Sequence, residues 1–425
     1  MSRRTGLSIL IVAQYAPPSF VVGARRVAGM TKYVSRLGQR VTVLTSRFSG
    51  EGPIEGAEAV IRTPDLLASS LNWRQRRDRS ASGMAAVARP PSPVESIVVP
   101  DVSVVSWLPV ALRAAHGLDP DCVITTSPPQ SAHLVGLRLA RRGIPWIAEL
   151  RDGWRFDRPR GDWPLKAQRA LDLRLERSVV RGADAVVAVT TPIAEDLERR
   201  YGRTVELITN GFDPEETGGG EGDLPLDPQR FSFVHTGSMG FTGASARHLV
   251  EALRLLPPEV ATGLEVVFAG LLSTDEAELL GSPDLAGIVR CVGSLERSDV
   301  LRLQRAADAL LILTEGAKRP SVATGKLFEY LAADRPILVL GEETEAARIV
   351  GETGTGSSTS ATDPRRIADA LAQLPVSPPP PRDAAAVQAY AFPELASRYL
   401  DLVERVAGQR RRSTGDRAPA TWRGR

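Results

Sequence analysis

Positions 318–340 read KRPSVATGKLFEYLAADRPILVL. An apolar run that ends at Thr314 comes before this segment, and a second apolar run, 336–340, closes it. Between the two runs the apolar residues recur at helical spacing from about Thr324 onward. The segment therefore predicts a strand, a loop, a helix and a second strand, which is the repeating unit of a parallel sheet.

The start of this predicted helix carries residue types that suit a phosphorylated ligand. A helix N-terminus presents free N–H groups and the positive end of the helix dipole, so it attracts phosphate. Thr324 and Gly325 allow close approach of the backbone, and Lys326 adds a mobile positive charge. Glu329, about one turn later, is an acceptor suited to two ribose hydroxyls. A capped helix with Lys and Glu in solvent fits the same positions, so spacing alone leaves both interpretations open.

Short runs rich in Val and Ile alternate with amphipathic helical patterns along nearly the whole chain. Strands this apolar indicate parallel sheets that are covered on both faces. This alternation ends near Gly211, a glycine-rich linker follows, and the alternation then begins again. The pattern predicts an α/β fold of two Rossmann-like, doubly wound domains that face a central cleft, where open α/β sheets bind their ligands.

The pattern also sets the expected boundaries of domains and strands. The predicted parts are an N-terminal acceptor domain at 1–213 with a mobile, Arg- and Ser-rich insertion at 69–93, a linker at 214–230, a C-terminal donor domain at 231–384, a helix at 385–408 that crosses back to the first domain, and a basic disordered tail at 409–425. The predicted strands are 8–15, 40–46, 59–63, 97–99, 121–126, 145–150, 185–190, 204–210, 231–236, 264–269, 288–292, 309–313 and 336–340.

Charge and cysteine content limit the class of protein. The net charge is +3, but residues 409–425 hold six Arg and one Asp, which leaves −2 for the rest of the chain. A folded part that is not basic argues against nucleic acid as a partner. Cys122 and Cys291 lie far apart in apolar runs, which predicts two buried, reduced thiols and a cytoplasmic protein. The basic insertion or tail could bring it to an anionic membrane at the cytoplasmic face.

No motif indicates a metal site. Asp119-Pro120-Asp121 has the spacing of a metal-binding Asp pair, but it directly precedes an apolar strand, and an Asp-Pro turn explains it better. The four histidines lack metal-ligand spacing. The sequence also lacks the glycine fingerprint of a dinucleotide-binding dehydrogenase.

The segment 318–340 resembles the Lys-Leu-Phe-Glu-Tyr-Leu-Ala variant of the donor-binding motif in family 4 retaining glycosyltransferases, which have the GT-B fold. Further fragments are similar to members of that family: Thr126-Ser127-Pro128-Pro129, Ala148-Glu149-Leu150-Arg151-Asp152-Gly153-Trp154, Asn210-Gly211-Phe212-Asp213 and His235-Thr236-Gly237-Ser238. The resemblance implies that Glu329 binds the donor ribose and that the preceding loop binds the diphosphate. The commoner motif has a second Glu where Ser321 stands, so backbone groups of 319–325 are expected to replace it.

The resemblance also implies roles for other positions. Asp152, Lys326 and Glu149 are the expected catalytic residues, although a salt bridge or a helix cap explains Glu149 equally well. Lys326 is the preferred cation for the leaving diphosphate, and Arg319 is second. The expected substrate-binding residues are Gly23, Gly237, Ser238, Gly293, Ser294, Arg319, Thr324, Gly325 and Glu329.

The function that this implies is transfer of a sugar from a UDP- or GDP-sugar to a glycan, lipid-linked or small-molecule acceptor, in polysaccharide or glycolipid biosynthesis. Transfer would retain the anomeric configuration and would need neither a metal nor another cofactor. Two alternatives stay open, a nucleotide-sugar epimerase of the same fold and a non-catalytic nucleotide-sugar-binding protein.

Overall fold

A computed structural model describes residues 6–19, 22–65, 97–157, 162–219, 222–238, 246–314, 316–321, 323–377 and 382–415. The predicted insertion at 69–93 lies outside them. The described residues divide into two compact units. The first unit takes the residues up to Asp65, those from Ile97 to Thr209 and those from Phe392 onward, and the second takes Asn210 to Ala391.

The first unit is a seven-stranded parallel sheet in the order β3-β2-β1-β4-β5-β6-β7. Its strands are β1 (Ser8–Val12), β2 (Arg40–Ser46), β3 (Ala57–Thr63), β4 (Cys122–Ser127), β5 (Trp146–Leu150), β6 (Ala185–Ala188) and β7 (Glu206–Leu207). Its helices are α1 (Val22–Arg36), α2 (Ser103–Ser106), α3 (Leu108–His116), α4 (Ala132–Ala140), α5 (Lys166–Gly182), α6 (Thr191–Tyr201) and, from the end of the chain, α15 (Phe392–Gly415).

The second unit is a six-stranded parallel sheet in the order β10-β9-β8-β11-β12-β13. Its strands are β8 (Phe231–Thr236), β9 (Leu264–Ala269), β10 (Val289–Gly293), β11 (Ala309–Leu313), β12 (Ile337–Leu340) and β13 (Gly356–Thr359). Its helices are α7 (Ala246–Leu255), α8 (Pro258–Gly263), α9 (Thr274–Leu280), α10 (Arg297–Ala306), α11 (Gly325–Ala333), α12 (Glu345–Thr353), α13 (Pro364–Gln373) and α14 (Ala384–Gln388).

Both sheets have apolar cores on both faces, as their Val- and Ile-rich strands require. In the first unit one face packs against α3, α4 and α6, and the other packs against α1 and α15. In the second unit one face packs against α7 and α13, and the other against α10, α11 and α12. Each unit is therefore a doubly wound, Rossmann-like layer structure, and the predicted α/β class is confirmed.

Helix α15 belongs to the first unit and packs along α1. Leu395, Tyr399 and Leu402 are buried in the same core as Val27 of α1. The side chain of Arg398 donates a hydrogen bond of 2.7 Å to the carbonyl of Leu207 at the end of β7. The burial follows the helical spacing of these apolar residues, which gives α15 a continuous face.

The C-terminal boundaries differ from those expected. The single helix predicted at 385–408 is two helices, α14 in the second unit and α15 in the first. Pro393 explains the break, because proline lacks an N–H and is tolerated only in the first turn of a helix. The tail predicted to be disordered from 409 is helical as far as Gly415.

Two further expectations are corrected, and one strand was missed. The strand predicted at 97–99 is a turn with an exposed Ile97, because only three apolar residues stand there, directly before Pro100. Cys122 is buried, but Cys291 is exposed, because β10 is the edge strand of its sheet. Strand β13 was not predicted, since its residues Gly356–Thr359 form no apolar run. Within the described residues, no helix combines the length and the apolar character needed to cross a membrane.

Candidate functional site

The candidate site of the second unit lies where the strand order of its sheet reverses. Strand β8 lies between β9 and β11, so the chain leaves β8 toward one side of the sheet and later returns on the other side. The loops that follow β8 and β11 leave the same edge side by side, because parallel strands have their carboxyl ends together. Gly237 and Ser238 follow β8, and the segment from Thr314 to Thr324 follows β11.

The side chain of Lys326 joins these two loops. Its ammonium nitrogen Nζ lies 2.7 Å from the carbonyl oxygen of Ser238 and 3.0 Å from Nε2 of His235. Nδ1 of His235 is 2.9 Å from the carbonyl oxygen of Leu311, which can only accept, so Nδ1 carries the hydrogen and Nε2 accepts from Lys326. Two of the three ammonium protons are thus used by neighbours in the described part of the chain, and one remains.

Burial controls the charges of this pair. It lowers the pKa of Lys326 to about 8, against a smaller raising effect of Glu276. Burial, followed by the nearby charge of Lys326, lowers the pKa of His235 well below its ordinary value. Near neutral pH this pair therefore carries one positive charge, on the Lys326 ammonium, beside a neutral imidazole.

Glu329 lies one turn into α11 and is held from the neighbouring helix α10. Its Oε2 is 3.0 Å from Nη1 of Arg297 and accepts a hydrogen bond of 3.1 Å from Nε2 of Gln304. Gln304 also donates to Oγ1 of Thr236, at the end of β8, over 2.9 Å. Tyr330 Oη accepts from the backbone N–H of Thr236 at 2.9 Å. The carboxylate is therefore fixed in position by two side chains of α10, one of which is itself bound to the end of β8.

Two glycines let the backbone approach Lys326. Gly237 has a φ of +80°, and a Cβ atom there would lie 3.1 Å from Cε of Lys326. A Cβ atom at Gly270 would lie 2.6 Å from the carbonyl carbon of Gly237. These contacts require glycine at both positions.

Helix α11 begins at Gly325, with Thr324 as the residue before it. The side chain of Thr324 makes no capping hydrogen bond, and its buried Oγ1 has no partner among the described residues. The N–H groups at the start of a helix lack intrahelical acceptors, so those of Gly325 and Lys326 remain able to bind an anion. Arg319 and Ser321 lie half-buried in the loop that leads to this helix.

Gly293 and Ser294 lie at the end of the edge strand β10, where both are exposed. The residue that reaches the site from this part of the chain is Arg297, through its ion pair with Glu329. Arg297 also pairs with Glu216 over 2.6 Å. Sequence reasoning missed Arg297 and Gln304, and the available signal was weak, because both look like ordinary polar positions of an amphipathic helix.

In the first unit, Glu149 at the end of β5 is buried in an ion pair. Its Oε2 lies 2.7 Å from Nη2 of Arg26, and its Oε1 accepts a hydrogen bond of 2.7 Å from Oγ1 of Thr126. Burial acts to raise the pKa of Glu149, but the charge and hydrogen bond of Arg26, together with Thr126, outweigh it and lower that pKa. Arg26 also donates to the carbonyls of Ile208 and Thr209. These contacts favour the salt-bridge interpretation of Glu149.

Arg151 explains why glycine stands at position 23. Its side chain donates to the carbonyl of Ser127 at 2.9 Å and to that of Pro128 at 3.1 Å. A Cβ atom on Gly23 would lie 1.7 Å from Nη1 of Arg151. Gly23 therefore leaves space for a guanidinium that is already fixed by two carbonyls. Asp152, the next residue, is exposed beyond the end of β5.

Asp121, the second residue of the Asp119–Asp121 pair, has a structural role. Oδ2 of Asp121 accepts a hydrogen bond of 2.9 Å from the backbone N–H of Ser8, which fixes the start of β1. In the part of the chain that the structure describes, no three His, Cys, Asp or Glu residues are placed to hold a metal ion together.

Comparison with known protein families finds a match in the first half of the chain. Residues 23–211 match the family model of a glycosyl transferase 4-like domain. No curated protein sequence matches the chain.

Several solved structures share the fold over nearly the whole chain. Sucrose-phosphate synthase from Thermosynechococcus elongatus has a TM-score of 0.60 at 15% identity, over 97% of this chain and 100% of that one. WaaG, a glycosyltransferase involved in lipopolysaccharide biosynthesis, has a TM-score of 0.55 at 15% identity, over 94% and 99%. A UDP-N-acetylglucosamine 2-epimerase has a TM-score of 0.55 at 14% identity, over 96% and 98%. This likeness establishes the GT-B fold.

The contact between Gly23 and Arg151 yields a stability prediction. Gly23→Ala should lower the free energy of unfolding by about 1–3 kcal/mol, the usual cost of overpacking. Arg151→Ala removes the group that the new methyl would meet, so the double variant should be less destabilised than the sum of the single variants. Urea unfolding of the four proteins measures this coupling.

Gly117→Ala is the matched control for this cycle, because a Cβ atom at Gly117 would meet nothing within 4 Å. It should leave the free energy of unfolding nearly unchanged. Strict additivity of Gly23→Ala and Arg151→Ala would contradict the assigned contact.

Proposed function

We propose that this protein is a glycosyltransferase that takes a sugar from a UDP- or GDP-sugar and passes it to an acceptor with retention of configuration. The observation that carries the proposal is the arrangement at the start of α11. There the Lys326 ammonium, the first N–H groups of the helix and the fixed carboxylate of Glu329 occupy one end of the second unit. The match of residues 23–211 to a glycosyl transferase 4-like domain supports it.

The diphosphate would bind at the N-terminus of α11. The N–H groups of Gly325 and Lys326 would donate to phosphate oxygens, and the remaining ammonium proton of Lys326 would add a charged hydrogen bond. The backbone at Gly237 and Ser238 would lie beside it, and Arg319 would be the second cation. As the bond between the anomeric carbon and the diphosphate oxygen breaks, negative charge grows on the diphosphate, and these donors stabilise it.

The ribose would bind to Glu329. A carboxylate whose position is already fixed loses little side-chain entropy when it accepts hydrogen bonds from two hydroxyls. Arg297 and Gln304 fix the carboxylate of Glu329 in this way. Gly293 and Ser294, at the end of β10, stay candidates for contacts to the base. The Lys and Glu of α11 thus fit a role in ligand binding better than a solvated helix face, because neither is fully exposed.

The first unit would supply the acceptor side. Asp152 is exposed and is our candidate for contact with the donor sugar or with an acceptor hydroxyl. Glu149 would position its neighbours and would not contact the substrate itself, because its two oxygens are bound by Arg26 and Thr126. Gly23 would contribute its backbone, next to the guanidinium of Arg151.

A transfer assay tests the proposal and also tests independence from metal. Purified protein is incubated with a panel of UDP- and GDP-sugars and candidate acceptors in excess EDTA, and mass spectrometry identifies the products. We expect a glycosylated acceptor and free nucleoside diphosphate with EDTA present, because protein groups meet the diphosphate charge.

Other outcomes of this assay would contradict the proposal. A donor whose sugar is isomerised without transfer would indicate a nucleotide-sugar epimerase, an activity named for one protein of the same fold. Nucleotide binding without any turnover would indicate a binding protein. Loss of transfer in EDTA with recovery in Mg²⁺ or Mn²⁺ would contradict metal independence.

The pKa of Lys326 predicts how nucleotide affinity depends on pH. Of the two protonation states of Lys326, only the charged ammonium attracts the diphosphate. Burial lowers the pKa of this group to about 8 in the free protein. Affinity for UDP or GDP should therefore be nearly constant below pH 8 and should fall above it, approaching about tenfold per pH unit. Calorimetric titrations from pH 7 to pH 9.5 measure this dependence.

Lys326→Gln should bind more weakly at pH 7 and should lose the decline above pH 8. Arg247→Gln removes a cation of α7 that is not part of this pair and should keep the decline. If the wild type and Lys326→Gln show the same pH profile, Lys326 does not bind the diphosphate.

A further inference from the structure

Helix α5 presents a strip of unpaired positive charge. Lys166, Arg174, Arg177 and Arg181 are exposed, and none has a hydrogen-bond or ion-pair partner among the described residues. Their spacing places them on one face of the helix, away from the buried Val179. Arg169 is also exposed, but it donates to the carbonyls of Trp163 and Pro164 at the start of the helix.

The acidic residues of α5 do not neutralise this strip, because they face the protein interior. Asp172 is buried and accepts a hydrogen bond of 2.9 Å from Nε1 of Trp154. Glu176 is buried and forms a salt bridge of 2.7 Å with Arg200 of α6. Every charge that α5 exposes is therefore positive, which is unusual for a solvated helix face, where both signs are normally mixed.

Large apolar side chains flank the basic strip. Leu171 is 47% exposed and Leu173 is 40% exposed, on the two sides of the strip, and Leu165 just before the helix is 62% exposed. Exposed leucines grouped beside cations are typical of an interaction surface.

We propose that this surface of α5, together with Leu165, docks the protein on an anionic lipid membrane. Cations attract lipid headgroups, and leucines beside them can enter the boundary between headgroups and acyl chains, as in interfacial amphipathic helices. Charge complementarity selects an anionic partner. The leucines favour lipid over nucleic acid, because a nucleic acid surface would be matched by aromatic stacking or by cations alone. The proposal goes beyond sugar transfer and does not depend on it.

Sedimentation with vesicles tests the docking surface. The full chain is mixed with vesicles of phosphatidylcholine alone or with phosphatidylglycerol added, and the bound fraction is measured. We expect binding only to the anionic vesicles. Each basic residue contributes about fivefold to such partitioning, so the variant with Arg174, Arg177 and Arg181 changed to Gln should bind roughly a hundredfold more weakly. Leu171→Ser with Leu173→Ser should weaken binding about tenfold.

The matched control removes three exposed arginines from the second unit, by changing Arg254, Arg335 and Arg365 to Gln. It has the same net charge as the α5 variant and should bind vesicles like the wild type. Thermal unfolding of each variant verifies that it is folded. A chain that ends at Gly415 separates the contribution of the arginines beyond it.

Four results would overturn the proposal. The wild type could fail to bind anionic vesicles, or the α5 arginine variant could bind them as well as the wild type does. The control variant could bind as weakly as the α5 variant, or removal of residues 416–425 alone could abolish binding. Preferential binding to a single-stranded oligonucleotide, unaffected by the serine changes, would identify nucleic acid as the partner and would also overturn it.

Discussion

The hydrogen bond from Lys326 to His235 is the contact around which the candidate site of the second unit is built. It joins residues 91 positions apart and ties the start of α11 to the end of β8. The second bond of Lys326 goes to the carbonyl of Ser238, directly after Gly237, where the backbone has a positive φ. The contact is possible because β8 and β11 are neighbours, which follows from the reversed strand order of a doubly wound sheet.

The first unit has a comparable constraint in the buried pair of Arg26 and Glu149. An unpaired charge at this depth would be strongly unfavourable, so each partner requires the other. Arg26 also binds the carbonyls of Ile208 and Thr209, the last residues of this unit before Asn210. Helix α1 is thereby linked both to β5 and to the segment that leaves the unit. The pair stabilises the end of β5, and Asp152 is exposed just beyond that end.

The sequence predicted the fold well because both sheets are buried on two faces, so their strands are near-continuous apolar runs. The sequence-based prediction missed the half-exposed edge strand β13, which has no apolar run. It also placed Cys291 in the core, although this residue of the edge strand β10 is exposed. For the site, the segment at α11 was evident because its residues are adjacent in the chain. Arg297 and Gln304 were not, because they reach Glu329 only through the packing of α10 against α11. Long-range partners of this kind depend on tertiary contacts that no local pattern encodes.

In the proposed function, the second unit binds a nucleoside diphosphate with its ribose on Glu329. Calorimetric titration of UDP and GDP into the wild type, Glu329→Gln and Glu216→Gln tests it most directly. Glu216 pairs with the same Arg297, at 2.6 Å, so its substitution controls for loss of a carboxylate on that arginine. We expect Glu329→Gln to weaken binding by about 1.5–3 kcal/mol, as for hydrogen bonds to a charged group, and Glu216→Gln to change it little. Equal affinities of the wild type and Glu329→Gln would show that Glu329 does not bind the ribose.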